Sequence, residues 1–173
     1  MSSWLTVRDE TSTVLSGLSP EQMSRAAAMF TVRDRRWLCS GQGRSGLVAQ
    51  MCAMRLMHAG FEAHAVGEAT APSIGEGDGL VIISGSGETP VTVHLARLAR
   101  DCGAHILAVT SHADSTLAGL AHTVVVPPIH TAQFAGTLFE QSALLLLDAL
   151  ILDLTATTPQ AYSQMRARHT NLQ

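Results

Sequence analysis

Lysine is missing from this chain of 173 residues, so eleven arginines supply all of its fixed cations, against fourteen aspartates and glutamates and a formal net charge of −3. Three of those arginines fall in one short run, Arg33-Asp34-Arg35-Arg36. An acidic balance argues against nucleic acid as a partner, because phosphate neutralisation needs a basic face. Cysteine is nearly absent as well. Cys39, Cys52 and Cys102 are odd in number, far apart and set among apolar neighbours, which argues against a disulfide framework or a zinc cluster and predicts buried reduced thiols. The eight histidines are scattered, with no H-E-x-x-H and no His/Cys pairing at ligand spacing, so no metal is expected. Long apolar runs are also lacking. The richest, 142–154, is broken by Asp148 and Asp153 and is too short for a membrane span; it reads as a buried helix, and no membrane partner is expected. Met1-Ser2-Ser3-Trp4-Leu5 lacks the basic start and apolar core of a signal peptide, which predicts a cytoplasmic protein.

Hydrophobic residues make up 46% of the chain and aromatics only 4%. That composition suits one α/β domain over 1–173, with a core of Ala, Leu and Val. Residues 4–30 read as helical, in two helices that precede the first strand within 1–36. Ser19-Pro20-Glu21-Gln22 marks a helix start: Ser19 caps, Pro20 suits the first turn and Gln22 bonds back. Strand and helix then alternate. The apolar β runs are 37–39, 63–66, 80–83, 106–109 and 123–126, the last stopped by Pro127-Pro128; helices are predicted over 47–59, closed by Gly60, and over 91–102. Alternation of this kind predicts a five-stranded parallel sheet covered by helices on both faces, with ligands at the carboxyl ends of the strands. The helix over 47–59 is apolar on nearly every side, Met51, Met54 and Met57 included; it is either fully internal or covered by a second copy of the chain.

Two Ser/Gly loops lie at those carboxyl ends. The first is Ser40-Gly41-Gln42-Gly43-Arg44-Ser45-Gly46 and the second Ser84-Gly85-Ser86-Gly87-Glu88-Thr89. Their glycines let backbone approach a ligand, their hydroxyls donate to its oxygens, and the following helices aim N–H groups at it. The pair reads as one site for a small phosphorylated metabolite. The first loop also matches the G-x-G-x-x-G dinucleotide fingerprint, with Glu68 near the end of the next strand, but the second loop's hydroxyls favour a compact ligand. Arg44 either adds charge to the ligand site or forms a salt bridge at its mouth. Glu140 stands three residues after Thr137, the spacing of a capping box; turned into the cleft it is a general base instead. His58 is either a favourable helix-end or core histidine, or a proton shuttle that in an oligomer reaches a neighbouring copy's site.

Taken together, SGQGRSGLVAQMCAMRLMHAGF, VGEATAPSIGEGD, ISGSGET, TSHADSTLAGLA and GTLFEQSALLLLDALILDL resemble the 6-phospho-3-hexuloisomerase branch of the sugar isomerase (SIS) domain family over most of the chain. The resemblance implies a flavodoxin-like, three-layer α/β/α fold, a homotetramer, no cofactor, and interconversion of D-arabino-3-hexulose 6-phosphate and D-fructose 6-phosphate in the ribulose monophosphate pathway of formaldehyde fixation. It implies pathway association with hexulose-phosphate synthase. By position, Ser40, Ser45, Ser84, Ser86 and Thr89, with Gly43, Arg44, Gly85 and Gly87 of the same loops, hold the sugar phosphate; Glu140 is the base and His58 an assisting acid. Gln42 and the terminal Gln173 of the helical tail 158–173 depart from the pattern, relatives commonly having a small residue and a glutamate there. A non-catalytic sugar-phosphate sensor and another aldose/ketose phosphate isomerase are the competing readings.

Overall fold

In the computed structural model, which describes residues 2–156 and 159–172, the five apolar runs become strands β1 (Trp37–Gly41), β2 (Ala63–Ala65), β3 (Gly79–Ile83), β4 (His105–Val109) and β5 (Thr123–Val125). They form one sheet in the order β2-β1-β3-β4-β5, with every neighbouring pair parallel. Around it lie α1 (Ser3–Ser16), α2 (Pro20–Met29), α3 (Arg44–His58), α4 (Pro90–Asp101), α5 (Thr116–Leu120), α6 (Thr137–Ala156) and α7 (Ala161–Arg168).

Strand alternation splits the core in two. Trp37, Cys39, Val81, Ile83, Leu107 and Val109 face one side and pack with Val48, Cys52 and Leu56 of α3 and Leu146 and Leu150 of α6. Leu38, Leu80, Ile82, Ile106 and Ala108 face the other side and pack with Ala96 and Ala99 of α4 and Leu117 of α5. A sheet buried on both faces explains why β3 and β4 are continuous apolar runs. Each fully buried large side chain contributes about 1.5–3 kcal/mol. Trp37 lies flat against β3: a Cβ on Gly79 would come 2.4 Å from its ring, so only glycine admits the indole there. The expected flavodoxin-like, three-layer α/β/α arrangement is thus present.

Several expectations need correction. Helix α3 starts at Arg44, three residues before the predicted 47, because Gly46 is a helical residue packed against the strand end. A Cβ on Gly46 would lie 2.9 Å from the Gly41 carbonyl oxygen, and one on Gly41 would lie 2.6 Å from the Ser45 carbonyl, so both glycines serve this tight junction. Ser19 does cap α2, accepting the Gln22 N–H at 3.3 Å. The Gln22 side chain does not bond back; its Oε1 accepts the Val126 N–H at 2.9 Å and ties α2 to the end of β5. Helix α5 was not foreseen, and Ser115 caps it through the Ala118 N–H. Helix α6 is not wholly buried, since Leu145 and Leu152 face out. Cys39 and Cys52 are buried but Cys102 is exposed: α4 has ended at Asp101, and the turn at Gly103 (φ 78°) takes Cys102 off the buried stripe of Ala96 and Ala99.

The N-terminal helices sit on the domain, α1 against α6 and α2 against β5 and α6, while α7 packs on α3 and α6. Arg168 of α7 donates from Nη1 to the His58 carbonyl at 3.1 Å. Of the tail singled out in the sequence, residue 158 and the terminal Gln173 lie outside the described residues. Among the described residues no helix is long and apolar enough to cross a membrane.

Candidate active site

Strands β1 and β3 are hydrogen-bonded neighbours, with Ser40 opposite Ile82 and Gly41 opposite Ile83. From their carboxyl ends the chain departs to opposite faces, into α3 on one side and α4 on the other, which makes this the switch point where open parallel sheets bind ligands. The two Ser/Gly loops are therefore side by side. Helices α2 and α5 have serine caps, but α3 and α4 carry no side-chain cap, leaving their first-turn N–H groups directed at the crevice.

In the first loop Ser40 and Ser45 are buried, and Gly43 turns the backbone at φ 58° and ψ −130° in open space. The second loop is held rigidly from behind. Its Gly85 carbonyl accepts the Thr110 hydroxyl at 3.3 Å and the Ser111 N–H at 3.1 Å, and its Gly87 carbonyl accepts the Leu117 N–H at 3.0 Å. Gly87 has φ 65°, and a Cβ there would meet Ser115 Oγ at 2.2 Å, so no side chain fits. Inside the loop Ser84 Oγ accepts the Gly87 N–H at 3.2 Å and shares a 3.2 Å hydrogen bond with Thr89 Oγ1. Ser86, exposed, accepts the Glu88 N–H at 3.2 Å. Glu88 itself is tied to the start of α5. Its carboxylate accepts the Thr116 N–H at 2.6 Å and the Thr116 hydroxyl at 2.8 Å, and these bonds, the backbone one first, hold its pKa below the usual carboxylate value. Glu88, Ser115 and Thr116 are thus supports that the sequence reading missed. Their only signal was the run Ser115-Thr116, a cap pattern ahead of a short helix.

Glu140 comes from a third segment. The start of α6 crosses the second loop, where a Cβ on Gly85 would lie 3.2 Å from the Phe139 ring. The capping-box reading fails because the Thr137 N–H, at 3.2 Å, and the Thr137 hydroxyl, at 2.6 Å, both donate to the Phe134 carbonyl. The Glu140 carboxylate turns instead to Arg44, with Oε2 at 2.6 Å from Nε. Arg44 is the first residue of α3, where the helix dipole disfavours a cation. Arginine, carboxylate and both loops therefore meet at one crevice, an arrangement that can hold an anion and move a proton beside it.

His58 is not brought there. It closes α3 at the end opposite Arg44, and at about 1.5 Å per residue the two lie roughly 21 Å apart. The residue is 5% exposed and its ring stacks on that of His169 at 5.2 Å with an interplanar angle of 17°. Burial, then the neighbouring His169 and Arg55, lower its pKa from the usual imidazole value. Arg55, His58, Tyr162, Met165, Arg166 and His169 line a cavity of about 220 Å³ between α3 and α7. Along the outer side of α3, Leu47, Met51 and Met54 are exposed, and Leu145 and Leu152 are exposed on α6. Arg55 and Asp148, 3.1 Å apart, join the two helices. The reading of α3 as fully internal is therefore excluded for a single copy.

The fold and the crevice define a doubly wound α/β protein built to accept a small anionic ligand at its switch point. The chain belongs to the SIS domain family, whose profile matches residues 31–152. A Mycobacterium gastri protein named 3-hexulose-6-phosphate isomerase is 40% identical, over 96% of this chain and 88% of the relative. A Bacillus subtilis protein of the same name is 40% identical over 78% of each. The crystal structure of a hypothetical protein from Methanococcus jannaschii, reported to infer a molecular function of 3-hexulose-6-phosphate isomerase, superposes over 100% of both chains with a TM-score of 0.89 at 27% identity.

Proposed function

We propose that the chain is an isomerase interconverting D-arabino-3-hexulose 6-phosphate and D-fructose 6-phosphate. The observation that carries this reading is the Glu140 carboxylate 2.6 Å from Arg44, on the helix that crosses the second anion loop. The relatives that bear the isomerase name at 40% identity support it. In this reading Ser40, Ser45, Ser84, Ser86, Thr89 and the uncapped helix starts hold the phosphate, with Gly43, Gly85 and Gly87 allowing close approach. Anchoring the phosphate holds C2 and C3 within reach of Glu140.

The reaction moves a ketone from C3 to C2. Glu140 removes the C2 proton, the electron pair of that bond forms the C2–C3 double bond, and negative charge develops on O3 to give a cis-enediol(ate). Glu140 then returns the proton to C3 while the O2 proton moves to O3, and the C2 carbonyl forms. Backbone N–H groups at the helix starts stabilise the oxyanion. His58 relays the oxygen proton as a neutral imidazole. Because α3 separates His58 from Arg44 by roughly 21 Å, the relay in this reading comes from a second copy of the chain, and the exposed Leu47, Met51 and Met54 face offers an apolar surface for assembly. In this reading, following the family resemblance, the enzyme is a cytoplasmic homotetramer whose substrate comes from hexulose-phosphate synthase in the ribulose monophosphate pathway.

The test is Glu140→Gln, assayed with hexulose 6-phosphate made in situ while fructose 6-phosphate is followed. General-base loss lowers turnover by about 10²- to 10⁴-fold with the fold intact. A folded variant with full activity would remove Glu140 as base. Wild-type protein that binds the sugar phosphate without converting it would be a sensor, not an enzyme.

A further inference from the structure

The segment between β5 and α6 runs from the Pro127-Pro128 stop along the carboxyl edge of the sheet to the helix of Glu140. It has no regular structure, yet α1 grips it. Glu10 Oε2 accepts the Thr131 hydroxyl at 2.6 Å and the Gln133 side-chain amide at 2.9 Å, while Oε1 accepts the Ala132 N–H at 2.9 Å. Thr131 Oγ1 in turn accepts the Gln133 N–H at 2.8 Å. These donors are neutral and belong to three consecutive residues, so the carboxylate acts as a clamp on backbone shape rather than as half of an ion pair. The bonds, that from the Ala132 N–H first, hold its pKa below the ordinary carboxylate value.

The clamp leads directly to the base. Next after Gln133 comes Phe134, whose carbonyl accepts both donors of Thr137, the first residue of α6. Ala135 then adopts a left-handed φ of 49°, a conformation that a residue bearing a side chain holds only when its neighbours enforce it. The Gly136 carbonyl accepts the Glu140 N–H at 3.1 Å, and a Cβ on Gly136 would lie 3.4 Å from Glu140 Oε1. Every step from Glu10 to Glu140 is thus a hydrogen bond or a constrained turn.

We propose that Glu10 is a positioning residue for the isomerase: by fixing residues 131–133 it fixes the turn at 134–136 and, through it, the place of the Glu140 carboxylate over the two loops. The inference rests on Glu140 as the base. It predicts a particular kinetic signature, because the loops that hold the phosphate arise from β1 and β3, and the second is braced from behind by Thr110, Ser111 and Leu117 rather than by the clamp. Glu10→Ala lowers kcat by about 10- to 100-fold, the scale of a misplaced reacting group, and leaves KM within about threefold. Glu10→Gln keeps one carbonyl oxygen for Thr131 and Gln133 but sets an NH₂ against the Ala132 N–H, so its kcat falls between those of wild type and Glu10→Ala. Thr131→Val, which leaves α1 untouched, lowers kcat in the same direction, and in the double variant the two losses do not multiply.

A purely structural tie would instead lower the melting temperature and the active fraction at unchanged kcat per folded molecule. Wild-type kcat in folded Glu10→Ala, or a loss carried by KM alone, overturns the proposal. Glu140→Gln measured alongside separates the two readings. If that variant stays active the base itself is wrong, whereas an inactive Glu140→Gln beside a normal Glu10→Ala removes only the clamp.

Discussion

Arg44→Gln distinguishes a ligand-binding arginine from a salt bridge that merely closes the mouth of the crevice. Arg44 is 52% exposed and Glu140 18% at their 2.6 Å contact. A pair with one partner half in water contributes about 0.2–1 kcal/mol after screening. Against this, a cation on the first residue of a helix opposes the dipole by about 0.3–1 kcal/mol. The two nearly offset, so the substitution leaves stability within about 1 kcal/mol, a melting shift of roughly 4 °C or less in a chain of this size. Under the proposed function, a position that brings so little stability serves the ligand. One charge-assisted hydrogen bond to a phosphate or an enediolate contributes about 1.5–3 kcal/mol, which at about 1.36 kcal/mol per decade is roughly 10- to 150-fold in kcat/KM. The measurement is steady-state kinetics on hexulose 6-phosphate made in situ, beside a thermal melt. If Arg44 holds the phosphate the loss lies mainly in KM; if it meets the developing oxyanion, in kcat. Arg44→Lys, with charge but no planar fork, recovers part of the rate. Unchanged kcat/KM with a melting point roughly 8 °C lower would refute the reasoning and return Arg44 to a structural pair.

Stability falls on mild acidification. Burial comes first in holding both His58 and His105 below the imidazole reference of 6.5, aided by His169 and Arg55 for the one and Arg35 and His122 for the other. Between those lowered values and 6.5 the unfolded chain binds more protons than the folded one, so stability is full above that window and declines as pH drops through it. Denaturant midpoints at pH 7.5 and 5.5 check this, and a midpoint at 5.5 equal to or above that at 7.5 would contradict it; His105→Gln flattens the difference. Glu10 and Glu88, shifted below the carboxylate reference of 4.5, lose their contribution only in more acidic solution. Assembly through the exposed stripe is open to sedimentation: Leu47→Glu with Met51→Glu adds two surface carboxylates to a single copy at little cost but buries charge in an interface, so a smaller species with lost turnover is expected. Unchanged sedimentation of the double variant would refute assembly through this stripe.

What was legible in the sequence was whatever depends on near neighbours. Ser19 caps α2, Gly60 turns the chain after α3 at φ 95°, and the β runs alternate between two cores as their residue types require. The misjudged features depend on partners far along the chain. Gly46 looked like loop because only its contact with the Gly41 carbonyl explains a glycine inside a helix. Glu140 had capping-box spacing, but the Phe134 carbonyl took the Thr137 donors and released the carboxylate to Arg44. Glu10 gave no local signal, since its partners follow β5. His58 is the most instructive case. Its chemistry suited a proton relay and its position in the sequence suited a helix end, and both can hold only if those two properties belong to different copies. Helix α3 is a rod with Arg44 at one end and His58 at the other, and no rearrangement of a single chain brings both ends to Glu140 while the helix stays intact. A site that uses both residues must therefore be closed by a second molecule. Under the proposed function, the apolar stripe along that same rod then has a reason to be uncovered in one copy, because a surface joining two chains there would also carry His58 from one copy to the site of the other.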